Sequence, residues 1–440
     1  MNNSPRNTIC NFKWTWPIFS IARTDYRLCC KTPLRPIDMS SENSFINSDY
    51  EKQRRLEMLQ GIRHNDCIDC WKVEDTGALS FRKTEGSKPS FEERFSRQLI
   101  EEFGTTDLDE VAKVVNIDSK ILESNEPSNL ELALNNTCDL QCIYCHNTRS
   151  SQWALDDLKN KVISFERYKA VTQKITETEF TEKLWNWIEN FAKNHLTWIS
   201  IVGGEPSITP EFYLHMDRLL EVYKDGPHKK AELWIITNMH TPPAYFDKFI
   251  SCLEKLSKVF RLCIGISTES VYERAEFMRS NLTWNKFESN IDRLLRTDIE
   301  FHEIKLYASI NALSVPGTLE FLKWHNKLNT LHNKEITITT NIVTFPDSLS
   351  PFILPGNFAT YIREAINYFA DTPYANKKFK SDYLNFLKGI ETGITQDKFV
   401  STERLTQFYN QVSATASRTK LDFAEIFPEI NDFYKYCGTL

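Results

Sequence analysis

Between residues 129 and 343, short β-branched or apolar runs alternate with longer stretches of helical period, which limits the fold more than any other feature of the 440-residue chain. The runs fall at 130–134, 198–202, 233–236, 262–266, 304–310 and 336–343. The helical stretches between them include 180–193, 211–223, 244–258, 284–295 and 318–328. A strand that is followed each time by a helix predicts a parallel sheet, because each crossover helix packs back on the sheet with one hand. Six such repeats fall short of the eight of a closed barrel. The expectation is an α/β fold, a partial (β/α)6 TIM-like barrel over residues 128–345.

The flanks differ in composition. Residues 1–85 are rich in cysteine and aromatics, with a hairpin expected around 14–30 and a helix over 49–59 that Gly61 would end. Residues 86–127 are charged and carry Gly86-Ser87-Lys88-Pro89 and, at their end, Asn125-Glu126-Pro127-Ser128, which reads as a linker with some helix. Residues 346–440 read as a C-terminal helical cap. The basic cluster Lys52, Arg54, Arg55 and Arg63 is expected to be a solvated helix face. A formal net charge of −6 gives no basic excess that would draw nucleic acid or an anionic membrane. No apolar run approaches the roughly 18 residues of a membrane span, and the first ten residues lack the apolar core of a secretory signal. A cytoplasmic location is expected.

Eleven cysteines in a reducing compartment suggest metal ligands or buried thiols rather than disulfides. The sharpest group is Cys138-Asp139-Leu140-Gln141-Cys142-Ile143-Tyr144-Cys145, directly after the first strand of the barrel, where loops at strand ends build active sites. Three thiolates can hold three irons of a cubane, whereas four are the rule for an ordinary [4Fe–4S] cluster. The fourth iron is then open to a small molecule. A zinc site would want a fourth protein ligand, and a redox pair would need only two of the cysteines.

The C-x3-C-x2-C spacing, with an aromatic residue before the last cysteine, resembles the signature of the radical S-adenosylmethionine (radical SAM) superfamily. Further elements follow in the family's order. Gly203-Gly204-Glu205-Pro206 after the second strand resembles its Gly-Gly-Glu-Pro edge, and Thr237-Asn238 ends the third. Ser267 and Glu269, with Arg279 ten residues on, are similar to its Ser-x-Asp and Arg, with Glu269 standing where Asp is commoner. Asn311 ends the fifth strand. The resemblance implies a catalytic [4Fe–4S] cluster on Cys138, Cys142 and Cys145. It also implies S-adenosylmethionine held by Tyr144, Gly203, Gly204, Glu205, Pro206, Thr237, Asn238, Ser267, Glu269, Arg279 and Asn311.

Toward the N-terminus, Cys10, Cys29, Cys67 and Cys70 could close a second metal site from two halves of the segment. Cys67-Ile68-Asp69-Cys70-Trp71 with Gly77, Ser80 and Arg82, and Cys10 before Trp14, resembles the auxiliary-cluster region of the twitch and SPASM groups. The resemblance implies an auxiliary [4Fe–4S] cluster; zinc is the alternative, and Cys30 could replace Cys29. Cys263 is either a small core residue or a hydrogen-atom donor, and Cys437 could reach an active site only if the tail folds back. The implied activity is reductive cleavage of S-adenosylmethionine to a 5′-deoxyadenosyl radical that abstracts hydrogen from a peptide or a small metabolite. A flavodoxin or ferredoxin would serve as reductant. A non-catalytic iron–sulfur or zinc scaffold is the alternative from another class.

Overall fold

The computed structural model describes residues 7–38, 40, 44–75, 80–84, 89–172, 179–224, 231–396 and 400–440. Gly77 of the auxiliary-type motif and Gly86 to Lys88 of the expected linker lie outside them. The described strands are β1 (Pro17–Ser20), β2 (Asp25–Leu28), β3 (Arg35–Pro36), β4 (Asn129–Ala133), β5 (Gln141–Cys142), β6 (Trp198–Val202), β7 (Glu232–Thr237), β8 (Arg261–Ser267), β9 (Arg279–Ser280), β10 (Glu303–Ile310) and β11 (Thr337–Ile342). The chain divides into two compact units, and one division falls inside β7, between Leu233 and Trp234.

The first unit comprises residues 1–135, 173–202 and 217–233. Its β1 and β2 form the expected hairpin, in register from Pro17↔Leu28 to Ser20↔Asp25. Thr24, in the left-handed region at φ +55°, makes the tight reversal. β1 runs parallel to β4, and β4 parallel to β6. The expected helix over 49–59 is Asp49–Leu59, capped by Ser48 through Glu51 N–H, and Gly61 at φ +75° leaves it. Helices Pro89–Phe103 and Leu108–Val114 occupy much of the expected linker. Trp14 anchors the core, its indole N–H donating to the Ile121 carbonyl at 2.8 Å and its ring edge-on to Phe95 at 5.4 Å.

The second unit comprises residues 136–172, 203–216 and 234–440. β8, β10 and β11 run parallel, from Glu303↔Cys263 on one side and Lys305↔Thr337 on the other. Five consecutive residues of β8, Leu262 to Ile266, are buried, as a strand covered on both faces requires. The crossover helices Pro243–Ser257, Trp284–Leu295 and Thr318–His332 cover the sheet with Phe249, Leu253, Phe287, Ile291, Phe321 and Leu322, none more than 1% exposed. Beyond Pro346 lie helices Ala359–Asp371, Lys377–Thr395, Thr402–Thr419 and Pro428–Cys437. The fold is α/β, a mostly parallel sheet with helices of the TIM-like kind. Among the described residues, no helix is long and apolar enough to cross a membrane.

The basic cluster departs from expectation. Arg55 is fully buried, not solvated. Its guanidinium donates to the carbonyls of Lys13 (2.8 Å), Leu122 (2.7 Å) and Ile46 (2.8 Å) and to Asn47 Oδ1 (2.9 Å). A fork of five donors can satisfy that many acceptors where an apolar side chain would orphan them. Arg55→Met should therefore cost about 3 kcal/mol or more, since each buried acceptor left unpaired costs about 1–3 kcal/mol. Urea unfolding of the full chain measures it; an unchanged midpoint would contradict this account of Arg55.

Candidate active site

The cysteine loop is folded onto the start of helix Ser151–Lys159. Ser150 caps that helix through Trp153 N–H and donates its hydroxyl to the Leu140 carbonyl at 2.7 Å. Ser151 Oγ accepts from Cys138 N–H at 3.1 Å, and the Trp153 indole donates to the Cys142 carbonyl at 2.9 Å. On its other side the loop forms β5, which pairs antiparallel with β9 so that Cys142 faces Arg279 across the ladder. Ile143 N–H donates to the Met278 carbonyl at 2.8 Å. Both flanks of Cys142 are thus fixed by backbone bonds.

Arg279 uses that register. One guanidinium nitrogen donates to Cys142 Sγ at 3.7 Å and another to Glu269 Oε2 at 2.5 Å. The Tyr144 hydroxyl donates to the same carboxylate oxygen at 2.8 Å. Glu269 is 1% exposed, and its other oxygen, like Arg279 Nε, is buried without a partner. Buried polar atoms are seldom left unpaired in native folds, so both remain available to the donors and acceptors of a ligand. Burial pushes the Cys142 thiol up to about 12, with Arg279 pulling the other way. Burial also raises the thiols of Cys138 and Cys145.

Glu205 is the second knot. Its carboxylate accepts from Ser207 N–H (3.1 Å), Ser207 Oγ (2.6 Å), Thr237 Oγ1 (2.8 Å) and Asn238 N–H (2.6 Å). Glu205 thereby joins the loop after β6 to the end of β7, and its own N–H donates to the Thr137 carbonyl at 2.7 Å. Gly204 is forced by this approach: a Cβ there would lie 2.2 Å from the Thr137 oxygen. Pro206 opens the short 3-10 turn Pro206–Ile208 that follows. Gly203 is half-buried beside it.

Two sequence-derived residues stand apart from these contacts. Ser267 is half-buried at the end of β8, in register with Tyr307. Asn311 is fully buried and spends its side chain locally, accepting from Leu313 and Ser314 N–H and donating to the Ser309 carbonyl. Cys263 is fully buried, with its thiol directed at the Arg261 carbonyl, and Cys437 is 1% exposed. Sequence reasoning missed Asp139 and His240. The His240 ring meets Asp139 Oδ2 at 2.7 Å, while Asn238 Nδ2 donates to Asp139 Oδ1 at 2.9 Å. The only sequence signal was an acidic residue inside the cysteine motif and a histidine two residues after Thr237-Asn238.

In the first unit, Cys10, Cys29, Cys67 and Cys70 are all buried, and Cys30 is half-buried. Burial lifts the Cys10 thiol to about 12 and that of Cys67 to about 11, each influenced by Arg82 and by the other cysteines. A shared hydrogen bond raises Cys29 and lowers Cys30. Cys29 sits at φ +83°. Arg82 ties the two halves: it donates to the Ile9 and Asn7 carbonyls (2.9 and 2.8 Å) and to Glu74 Oε2 (2.6 Å), and stands 4.4 Å over the Trp71 ring.

Among the described residues, no three His, Cys, Asp or Glu side chains already converge at ligating distances. The donor sets nonetheless fit iron–sulfur groups. Both consist of soft thiols, buried in the first unit and half-buried in the second, each of which holds its proton until a metal cation displaces it. In the second unit a cation and an amide face two of the sulfurs.

Two outcomes test the Glu205 and Gly204 geometry. Burial pushes the Glu205 carboxyl up to about 7 against its hydrogen-bond donors. The folded state then binds the proton more tightly than the unfolded state, so stability falls as pH rises from about 4.5 to about 7. Glu205→Gln should flatten that slope, as urea unfolding at several pH values in this window would show; an unaltered slope would contradict it. Gly204→Ala should lower stability by about 1 kcal/mol or more, because its Cβ has to displace the Thr137 backbone; urea unfolding measures it, and an unchanged midpoint would contradict the close approach.

Residues 132–322 match the family model described as the Radical SAM superfamily. None of the curated proteins matches the chain. Among solved structures, anSMEcpe with bound AdoMet is similar at 16% identity and a TM-score of 0.38, covering 59% of this chain and 62% of that one. Streptococcus suis SuiB bound to precursor peptide SuiA is similar at 13% identity and a TM-score of 0.37, covering 73% of this chain and 62% of that one. The chain thus spans 62% of the length of either. Residues 132–322 thus carry a radical SAM domain, by their match to that family's model.

Proposed function

We propose that this protein cleaves S-adenosylmethionine reductively and directs the resulting radical at a peptide, with an auxiliary iron–sulfur site assisting. The observation that carries the proposal is the pairing of β5 with β9, which sets the Arg279 guanidinium 3.7 Å from the sulfur of Cys142 and against Glu269. When bound, a [4Fe–4S] cluster supplies the electron that splits the sulfonium into methionine and a 5′-deoxyadenosyl radical.

The chain's own residues do the rest. Cys138, Cys142 and Cys145 would hold three irons and leave one position for the methionine amino and carboxylate groups. Gly203 and Gly204, the latter packed against the Thr137 backbone, would present their own backbone to that part of the cofactor. The unpartnered Glu269 Oε1 and Arg279 Nε are available to the ribose hydroxyls and the carboxylate. Tyr144 and Arg279 hold Glu269 in place. Glu205 holds Thr237 and Asn238 at the rim. Ser267 completes the ribose side. Cys10, Cys29, Cys67 and Cys70 would hold the auxiliary cluster, a group that supplies electron-transfer chemistry. The peptide class rests on the resemblance of the N-terminal cysteine segment to the auxiliary-cluster groups.

Anaerobic reconstitution tests the proposal. Iron should approach about eight per chain, two cubanes, with matching sulfide. The double variant Cys67→Ala/Cys70→Ala should lose about half. Dithionite should elicit 5′-deoxyadenosine from S-adenosylmethionine, and Cys142→Ala should abolish it. No product above the Cys142→Ala background would favour a non-catalytic scaffold, and zinc in place of iron at the N-terminal site would overturn the auxiliary-cluster assignment.

A further inference from the structure

The bonds around Asp139 are left unused by the proposed chemistry, yet they form a closed network beside the first cysteine of the motif. Asn238 Oδ1 accepts from His240 N–H at 2.8 Å, and its amide nitrogen donates to Asp139 Oδ1 at 2.9 Å. These two bonds fix which end of the amide is nitrogen, because a flip would set NH2 against N–H and carbonyl against carboxylate. The same nitrogen then faces Cys138 Sγ at 4.0 Å.

Asp139 is itself held. His240 Nε2 accepts from Thr283 N–H at 3.1 Å, so the ring carries its proton on Nδ1 and donates it to Asp139 Oδ2 at 2.7 Å. Asn281 donates to the Asp139 backbone carbonyl at 3.3 Å. Asn238 and His240 are 7% and 5% exposed, which leaves little room for water to replace a lost donor. The Cys138–Asp139 step is therefore bound to the segment after β7 and to the turn after β9.

We propose that Asp139 and His240 are positioning residues that aim the Asn238 amide at the Cys138 sulfur and so set the reduction potential of the group the three thiols bind. This rests on the iron–sulfur reading of that site. Hydrogen bonds to sulfur withdraw charge and stabilise the reduced, more negative state, so losing the donor makes the potential more negative. A mere staple for the loop would change how much iron is held and leave the potential alone.

The experiment uses the full chain carrying Cys67→Ala and Cys70→Ala, so that one cluster is present, reconstituted anaerobically with iron and sulfide. The readouts are iron content and the midpoint potential followed by EPR without S-adenosylmethionine. His240→Phe removes the anchor of Asp139, Asn238→Ala removes the N–H donor, and His240→Asn keeps a donor near the Nδ1 position. The first two should hold the parent's iron with a midpoint more negative by about tenfold in the redox equilibrium, ~59 mV for one electron. His240→Asn should recover most of that shift. Either His240→Phe or Asn238→Ala keeping both iron and midpoint would overturn the proposal. Loss of iron in both would also overturn it, leaving a structural staple. A parent chain that takes up no iron would instead fail the iron–sulfur reading itself.

Discussion

The site depends on two residue pairs of antiparallel backbone, Gln141↔Ser280 and Cys142↔Arg279. This short ladder converts a flexible cysteine loop into one with a set register, and it delivers a cation to the middle sulfur. Arg279 keeps its charge: burial alone would lower its affinity for the proton, but Glu269 more than offsets that and holds it well above its usual value. A buried guanidinium with a carboxylate partner is a fixed positive charge, and thiolates that bind metal carry the opposite charge. The electrostatics of the site are therefore laid down before any ligand arrives.

Around that ladder the second unit repeats one device, an acidic side chain that collects donors from distant parts of the chain. Glu205 gathers the end of β7, Glu269 gathers Tyr144 and Arg279, and Asp139 gathers Asn238 and His240. Each spans at least ten residues of sequence, up to 125 for Tyr144 and Glu269. Loops at strand ends are the least constrained parts of a β/α fold, and these carboxylates are what orders them. Arg55 performs the inverse task in the first unit, one cation gathering carbonyls.

Much of this fold was legible in the sequence, because strand and helix periods differ and punctuation residues mark the ends. Helix Trp284–Leu295 and strand Trp198–Val202 have the bounds their patterns predict, and helix Asp49–Leu59 starts and stops at its cap and its glycine. Arg55 was misjudged because its acceptors, at Lys13, Ile46 and Leu122, are invisible to a local charge pattern. His240 was missed for the same reason, since its partner is 101 residues away. Motif spacing named Glu205 and Asn311, but only coordinates reveal that both side chains are spent on neighbouring loop residues.

The central claim is that three thiols leave one corner of a cubane vacant for the sulfonium cofactor. The most direct measurement is the EPR spectrum of the reduced cluster, recorded with and without S-adenosylmethionine labelled at its methionine amino nitrogen. The account predicts a changed g-tensor and a hyperfine coupling to that nitrogen. A spectrum unmoved by saturating cofactor, with binding also absent by dialysis, would contradict it.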